Sequence, residues 1–220
     1  MSILTLLHSV RALRWIFFKA FTLIPITFAC FATAYAFGQT VSKADATRAQ
    51  KYSIDAIRGA SELPNAEPKV KIQKQLRWVL KNDEKILVVP ITIRYVHLSN
   101  SYCRLITISK DFQRFDLVQI SPEANFDNCK SISAMFYLDI NGDRRVDIVQ
   151  GLNINSNRYD TNVMVPIVYL SDETTEGGYC FSDLASRELK PLDLTTAERT
   201  EEALKAAKQR LMISRFKCSK

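Results

Sequence analysis

Residues 136–151, read FYLDINGDRRVDIVQG, place an acidic loop between two short apolar runs. Oxygen-bearing side chains stand at loop positions 1, 3, 5 and 9, as Asp139, Asn141, Asp143 and Asp147. Alternate residues of a tight loop can turn their oxygens toward one centre, and Ca²⁺ takes about six to eight oxygen ligands. The spacing therefore predicts a β-hairpin whose turn binds calcium, with the carbonyl of Arg145 as a further ligand.

A turn without metal is the alternative interpretation, because Asp, Asn and Gly are also the residues that hairpin turns use. Four ligand positions in register exceed what a turn needs, so we favour the metal site. An EF-hand fits poorly, since Gln150 stands where that motif places its bidentate Glu and no helix is evident on either side.

Residues 139–151 resemble the calcium loops of FG-GAP or VCBS repeats, which occur in integrin α-subunit propellers and in many secreted bacterial proteins. Those loops read Asp-x-Asp/Asn-Gly-Asp-Gly-x-x-Asp and precede an apolar strand. This chain matches the four side-chain ligands and Gly142, and residues 148–151 match the strand. The resemblance implies Ca²⁺ held between two antiparallel strands. Arg144 departs from the pattern by replacing a Gly, which strains the loop if that residue needs a positive φ.

The first forty residues differ in composition from the rest. Three basic residues open the chain, residues 20–38 carry no charge, and Ala34-Tyr35-Ala36 is a small-x-small cleavage site. We predict that residues 1–36 are a signal peptide, with an uncleaved membrane anchor as the alternative. A lipoprotein anchored at Cys30 is a weaker option. Each option exports the rest of the chain. It would lie in the periplasm or outside the cell, or it would be anchored to the inner membrane and face the periplasm.

The charge balance gives only a weak indication of partners. Removing residues 1–36 takes away Arg11, Arg14 and Lys19 and no acidic residue, so the net charge falls from +7 to +4. No Lys/Arg tract interleaved with aromatic residues is present, so nucleic acid is not an expected partner.

Four cysteines follow the export segment, and an even number in an exported chain predicts two disulfides. Three connectivities are possible. We expect Cys103 to pair with Cys129 across one strand-rich stretch and Cys180 to pair with Cys218, which would hold the C-terminal helix. No CxxC motif is present, so a redox-active dithiol is not expected.

Hydrophobic periodicity divides the chain into three parts: residues 1–36, a helix and linker at 37–67, and a β domain at 68–220. Residues 42–60 have one apolar helical face, with Ser42 as N-cap. Thr195 and Glu198 fit a capping box before a C-terminal helix. Short strands are expected between them, at 85–98, 103–109, 112–120, 132–138, 146–152, 163–170 and from 177. Residues 70–80 are compatible with strand or helix, 153–162 read as polar loop, and Pro90 implies an edge or a bulge.

The expected fold is mainly β with a helix at each end. The strand-rich part is too short for the four to eight blades of a closed propeller, so we expect an antiparallel propeller-like or irregular β body.

Catalytic motifs are not evident in the sequence. After cleavage His97 is the one remaining histidine, which excludes multi-His zinc centres, and neither G-x-S-x-G nor H-E-x-x-H occurs. We therefore expect a non-enzymatic, exported calcium-binding protein that binds a protein partner. Its single loop motif resembles those of periplasmic inhibitor or immunity proteins that block cell-wall-degrading effectors. Residues 153–162 and 171–178 are candidate partner-binding loops.

Two other classes compete with this expectation. One is an envelope hydrolase with structural calcium that uses carboxylates such as Asp111 and Asp116. The other is a structural or adhesion component of the envelope.

Overall fold

The computed structural model of the chain describes residues 38–60, 67–81, 84–95, 101–118, 128–156 and 161–219. The predicted export segment at 1–36, His97 and most of the predicted linker lie outside the described residues. None of the described helices combines the length and the apolar character that crossing a membrane would require.

Nine strands and three α-helices make up the described part of the chain. The helices are α1 (Lys43–Ala60), α2 (Asp183–Glu188) and α3 (Ala197–Arg210), and short 3-10 turns occur at Glu176–Gly178 and Pro191–Thr195. The strands are β1 (Pro68–Ile72), β2 (Arg77–Lys81), β3 (Glu84–Tyr95), β4 (Ser101–Ser109), β5 (Phe115–Val118), β6 (Cys129–Leu138), β7 (Asp147–Ser156), β8 (Thr161–Ser171) and β9 (Tyr179–Phe181).

The strands form two antiparallel sheets. In sheet one, β3 pairs with β4, which pairs with β5, while β1 and β2 share the other side of β3. Sheet two is a meander in the order β6-β7-β8-β9. The expectation of a mainly β body with a helix near each end is confirmed. A propeller-like arrangement is not shown by the described residues.

The two sheets pack face to face through an inner core. Alternate positions of each strand point to one face of a sheet. Both sheets contribute buried apolar side chains to this core, among them Val79, Val88, Leu105 and Val118 of sheet one and Ile148, Leu152, Ile167 and Tyr169 of sheet two.

Helices cover the outer face of each sheet. The helix α1 places Ala49 and Ile57 against Leu87, Ile91 and Ile106 of sheet one. On sheet two, a separate core joins Val149 and Val168 to residues of α2, α3 and the C-terminal segment, namely Ala185, Leu204, Ala207 and Phe216. The described residues therefore form four layers, helix, sheet, sheet, helix, around three cores.

The outer edge of sheet one is occupied by groups from outside the sheet. The side-chain Nε2 of Gln50 on α1 donates to the Val70 carbonyl at 2.8 Å, and the Ile72 N–H donates to Gln50 Oε1 at 3.3 Å. Further along the same edge, the backbone of Gln39 exchanges two hydrogen bonds with Trp78 on β2. The side chain of Gln50 and the backbone of Gln39 thus pair with edge groups that would otherwise face water.

Both expected disulfides are confirmed. Cys103 of β4 is bonded to Cys129 at the start of β6, which links the two sheets. Cys180 of β9 is bonded to Cys218, which holds the C-terminal segment against sheet two.

Three local predictions need correction. Residues 153–162 are not a polar loop throughout, because β7 runs to Ser156 and β8 begins at Thr161. The α3 N-cap is Thr196, not Thr195, since the Thr196 side chain accepts from the Arg199 N–H. Pro90 lies within an interior strand, opposite Leu105. It is tolerated because its other side faces the gap between β1 and β2, where no N–H is needed.

Candidate functional site

The predicted calcium loop connects the end of β6 to the start of β7. Its backbone turns through left-handed conformations at Gly142 (φ 72°) and Arg144 (φ 66°). Glycine adopts such a conformation without steric cost, whereas a side chain with a Cβ is strained there. Residue 144 thus has the positive φ under which Arg, in place of the Gly of FG-GAP or VCBS loops, strains the loop.

Asp139 holds the first half of this loop. Its Oδ1 accepts from the N–H groups of Gly142 at 2.7 Å and Asp143 at 3.1 Å, and its Oδ2 accepts from the Arg144 N–H at 2.9 Å. Asp143 Oδ1 accepts from the Arg145 N–H at 3.0 Å. These bonds curl the backbone around the Asp139 carboxylate, which leaves the Asp143 side chain exposed.

Asp147 is the buried member of the set, with 1% of its surface exposed. Its Oδ2 accepts from the Ile140 N–H at 2.9 Å, and its Oδ1 accepts from the Ser171 N–H at 2.8 Å. Burial raises the pKa of Asp147 to about 7; the two hydrogen bonds oppose that rise, and the nearby Asp143 and Asp139 add to it. A buried carboxylate beside two others is a place where positive charge is favourable.

Asn141 connects the loop to the C-terminal segment. Its Oδ1 accepts from the Phe216 N–H at 2.9 Å and its Nδ2 donates to the Phe216 carbonyl at 3.4 Å. Lys208 of α3 donates to the Ile140 carbonyl at 2.7 Å. The carboxamide oxygen of Asn141 keeps one lone pair beyond the bond to Phe216.

The predicted ligands suit calcium in their chemistry, but the carboxylate oxygens of the loop lie farther apart than they would around a bound ion. All five predicted ligands offer oxygen, which Ca²⁺ prefers. Within the described ranges, ligand atoms of three His, Cys, Asp or Glu side chains come within 4.8 Å of one another at Asp172, Cys180 and Cys218, and not at the loop. Those two cysteines are bonded to each other, so that group is not a metal centre. Calcium binding would require the exposed Asp143 side chain to turn inward.

Of the two predicted partner loops, 171–178 is the one whose backbone is described throughout. Its start is fixed by Asp172, whose Oδ1 accepts from both the N–H and the hydroxyl of Thr174. Gly177 and Gly178 each have a φ of 72°. Arg145 of the calcium loop pairs with Glu173 of the turn at 2.8 Å, so the two segments are neighbours.

A polar cleft beside this turn was not predicted. It has a volume of about 290 Å³ and is lined by polar residues of β2, β3, β4 and β5 and by the turn. Its members include Lys81 and Asp116, which the sequence separates by more than thirty residues, so only strand register brings them together. The sequence pattern that could have indicated the cleft is a change from apolar to polar residues at alternate strand positions, as from Val79 to Lys81.

The two carboxylates named for a hydrolase have different surroundings. Asp111 accepts from the Ser109 hydroxyl at 2.5 Å, a bond that is the main cause of its lowered pKa, and from the Gln113 N–H. Asp116 faces the cleft instead.

Comparison of the chain with protein-family models, with curated proteins and with solved structures finds no match.

Proposed function

We propose that this chain is an exported, non-enzymatic binding protein whose loop between β6 and β7 takes a calcium ion. The ligands are the side chains of Asp139, Asn141, Asp143 and Asp147 and the carbonyl of Arg145. The observation that carries the proposal is the burial of Asp147 beside Asp139 and Asp143 inside one hydrogen-bonded loop. A cation would balance these carboxylates, whose mutual repulsion otherwise destabilises the loop.

Export is supported by the two disulfides, because such bonds persist in oxidising compartments. The N-terminal signal pattern points the same way. The likeness to FG-GAP or VCBS loops supports calcium through the ligand spacing.

Calcium titration of the oxidised protein by calorimetry, paired with thermal melts in calcium and in chelator, tests the metal site. We expect binding near one equivalent and a raised melting temperature in calcium. Asp143→Ala should lose most of this binding while it remains folded, because Asp143 is exposed and accepts one hydrogen bond.

Asp116→Ala is the matched control, since it removes a carboxylate from the cleft and should leave calcium binding unchanged. If neither heat nor a shift in melting temperature is observed for the wild type, the loop is a turn held by its own hydrogen bonds.

The proposed partner is a protein, in the manner of an inhibitor of a cell-wall-degrading effector. The exposed turn around Glu173 offers a surface for insertion into a partner's cleft. A stoichiometric complex that inhibits cleavage of cell-wall glycan, and that Glu173→Arg weakens, would support this role. Turnover of glycan by the chain itself would contradict it.

A further inference from the structure

The inward face of sheet one changes from apolar to polar side chains toward one end. Val79 and Val118 lie in the inner core, and the next inward positions on their strands are Lys81 and Asp116. On β3, Ile86 still packs on this core and Glu84 is the first polar position after it. Register pairs Lys81 with Glu84, and Thr107 with both Val88 and Asp116, so these side chains share that face. Four strands thus direct polar side chains into the cleft.

Two glycines of the 171–178 turn form the opposite wall. Both have a φ of 72°, which disfavours any other residue. A Cβ on Gly177 would lie 3.2 Å from Asp116 Cβ, and one on Gly178 would lie 1.5 Å from Lys81 Nζ. The absence of these side chains lets the turn backbone lie directly against Lys81 and Asp116.

Most polar groups of the cleft are already paired. Arg114 and Glu84 form an ion pair at 2.6 Å. The Thr107 hydroxyl donates to the Gly177 carbonyl, and the Ser109 hydroxyl donates to Asp111. Two opposite charges therefore remain for a ligand.

Those two charges are the side chains of Lys81 and Asp116, and neither side chain makes a hydrogen bond or an ion pair within 4.0 Å to another described residue. Burial lowers the pKa of Lys81, while Glu173, Asp116 and Asp172 raise it. The two side chains influence each other but leave their hydrogen-bonding atoms unpaired.

We propose that this cleft binds a zwitterionic ligand of amino-acid or dipeptide size, with its carboxylate at Lys81 and its ammonium at Asp116. An inorganic anion would leave Asp116 unpaired, and a simple amine would leave Lys81 unpaired. The volume of about 290 Å³ is near the lower end of the range for small-molecule pockets. The site uses none of the calcium ligands.

Calorimetric titration of the oxidised full chain with alanyl-alanine tests the proposal. The matched probes are the N-acetylated dipeptide, which lacks the ammonium, and the dipeptide amide, which lacks the carboxylate. Each should bind roughly 10- to 100-fold more weakly than the free dipeptide, because one charged hydrogen-bonding group is lost. Titrations in calcium and in chelator should agree, so a failure of the calcium site would not affect the result.

Variants assign the two ends of the ligand. Lys81→Met should abolish the preference for the free carboxylate over the amide, and Asp116→Asn should abolish the preference for the free ammonium over the acetylated form. Lys69→Met, at an exposed lysine of β1, is the control and should bind as the wild type does. Gly178→Ala should block binding by displacing Lys81, and circular dichroism would check that each variant is folded.

The proposal is overturned if alanyl-alanine fails to bind at millimolar concentration, or if the acetylated or the amidated form binds as tightly as the free dipeptide. It is also overturned if phosphate competes fully with the dipeptide while Asp116→Asn has no effect, because an anion site alone would explain that result.

Discussion

The calcium loop at 139–147 and the cleft at Lys81 and Asp116 both concentrate charge, but they use it differently. In the loop, the carboxylates of Asp139 and Asp147 accept five backbone N–H groups. In the cleft, the described residues provide no hydrogen bond to the Lys81 ammonium or to the Asp116 carboxylate. Carboxylates that accept hydrogen bonds from the backbone stabilise the fold, whereas unpaired side chains that face a cleft can pair with a ligand without breaking a bond of the fold.

The two regions are also neighbours. Asp147 accepts from the Ser171 N–H, and Arg145 pairs with Glu173, so the loop is bonded to the turn that forms one wall of the cleft. Variants that change either the loop or the cleft, but not both, can therefore distinguish charges that stabilise the fold from charges that are available to a ligand.

The largest expected effect comes from Asp147→Ala. The change leaves the N–H groups of Ile140 and Ser171 without an acceptor, and we expect the free energy of unfolding to fall by about 2–5 kcal/mol. Asp116→Ala should change it by no more than about 0.5 kcal/mol. Urea unfolding of both variants measures the difference. Equal losses would remove the distinction between the two regions.

Removal of the Cys180–Cys218 disulfide should have the next largest effect. The bond closes a sequence separation of 38 residues, and its loss in Cys180→Ser/Cys218→Ser should cost roughly 2–4 kcal/mol. Phe216 would be held less firmly to Asn141, so hydrogen exchange at Gly142 and Arg144 should accelerate. Cys103→Ser/Cys129→Ser is the control, with a similar loss of stability but no selective effect on these amides.

The pH dependence of stability sharpens the comparison further. Asp147 has a pKa of about 7 in the fold and 3.8 as its ordinary value, so the folded chain binds this proton more tightly. The resulting stabilisation is fully present below about pH 4 and is lost as the pH rises through about 7. In chelator, we expect the wild type to gain on the order of 2 kcal/mol relative to Asp147→Asn between pH 7 and pH 5. Calcium should reduce or reverse that gain. If the wild type and Asp147→Asn show the same pH profile in chelator, the raised pKa of Asp147 is contradicted.

The smallest expected effect is that of Arg144→Gly. This change relieves a φ of 66° at an exposed position, which should stabilise the fold. We expect a gain of no more than about 1 kcal/mol, because glycine also makes the unfolded chain more flexible and so offsets part of it. Gly142→Ala is the opposite control and should destabilise by a similar amount, since Gly142 has a φ of 72°. A loss of stability in Arg144→Gly would mean that the Arg side chain contributes to the loop.

Local patterns predicted much of this fold. Alternation marked the strands around Ile91, Leu105 and Ile167, and helical periodicity marked α1 and α3. The disulfide pairs followed from the order of those elements. The helix α2 was missed because its six residues are too few to show a periodicity.

The misread hairpin at 153–162 has a different cause. Asparagine is rare in strands, yet Asn153 is held in β7, and its Nδ2 donates to the Ser131 hydroxyl at 3.0 Å. A contact with a neighbouring strand therefore outweighs the local preference. The same limit applies to the candidate sites: the loop could be predicted because its ligands are adjacent in sequence, whereas the cleft depends on the register of five separate segments.

Gln50 lays its side-chain amide along the outer edge of β1, where a strand from another molecule would pair. The outward groups of Val70 and Ile72 are bonded to that amide, and Pro68 at the start of the strand has no N–H to offer. An incoming strand would have to displace α1 before it could add to this edge. The helix therefore protects this edge from pairing with another strand as well as covering the outer core of the sheet.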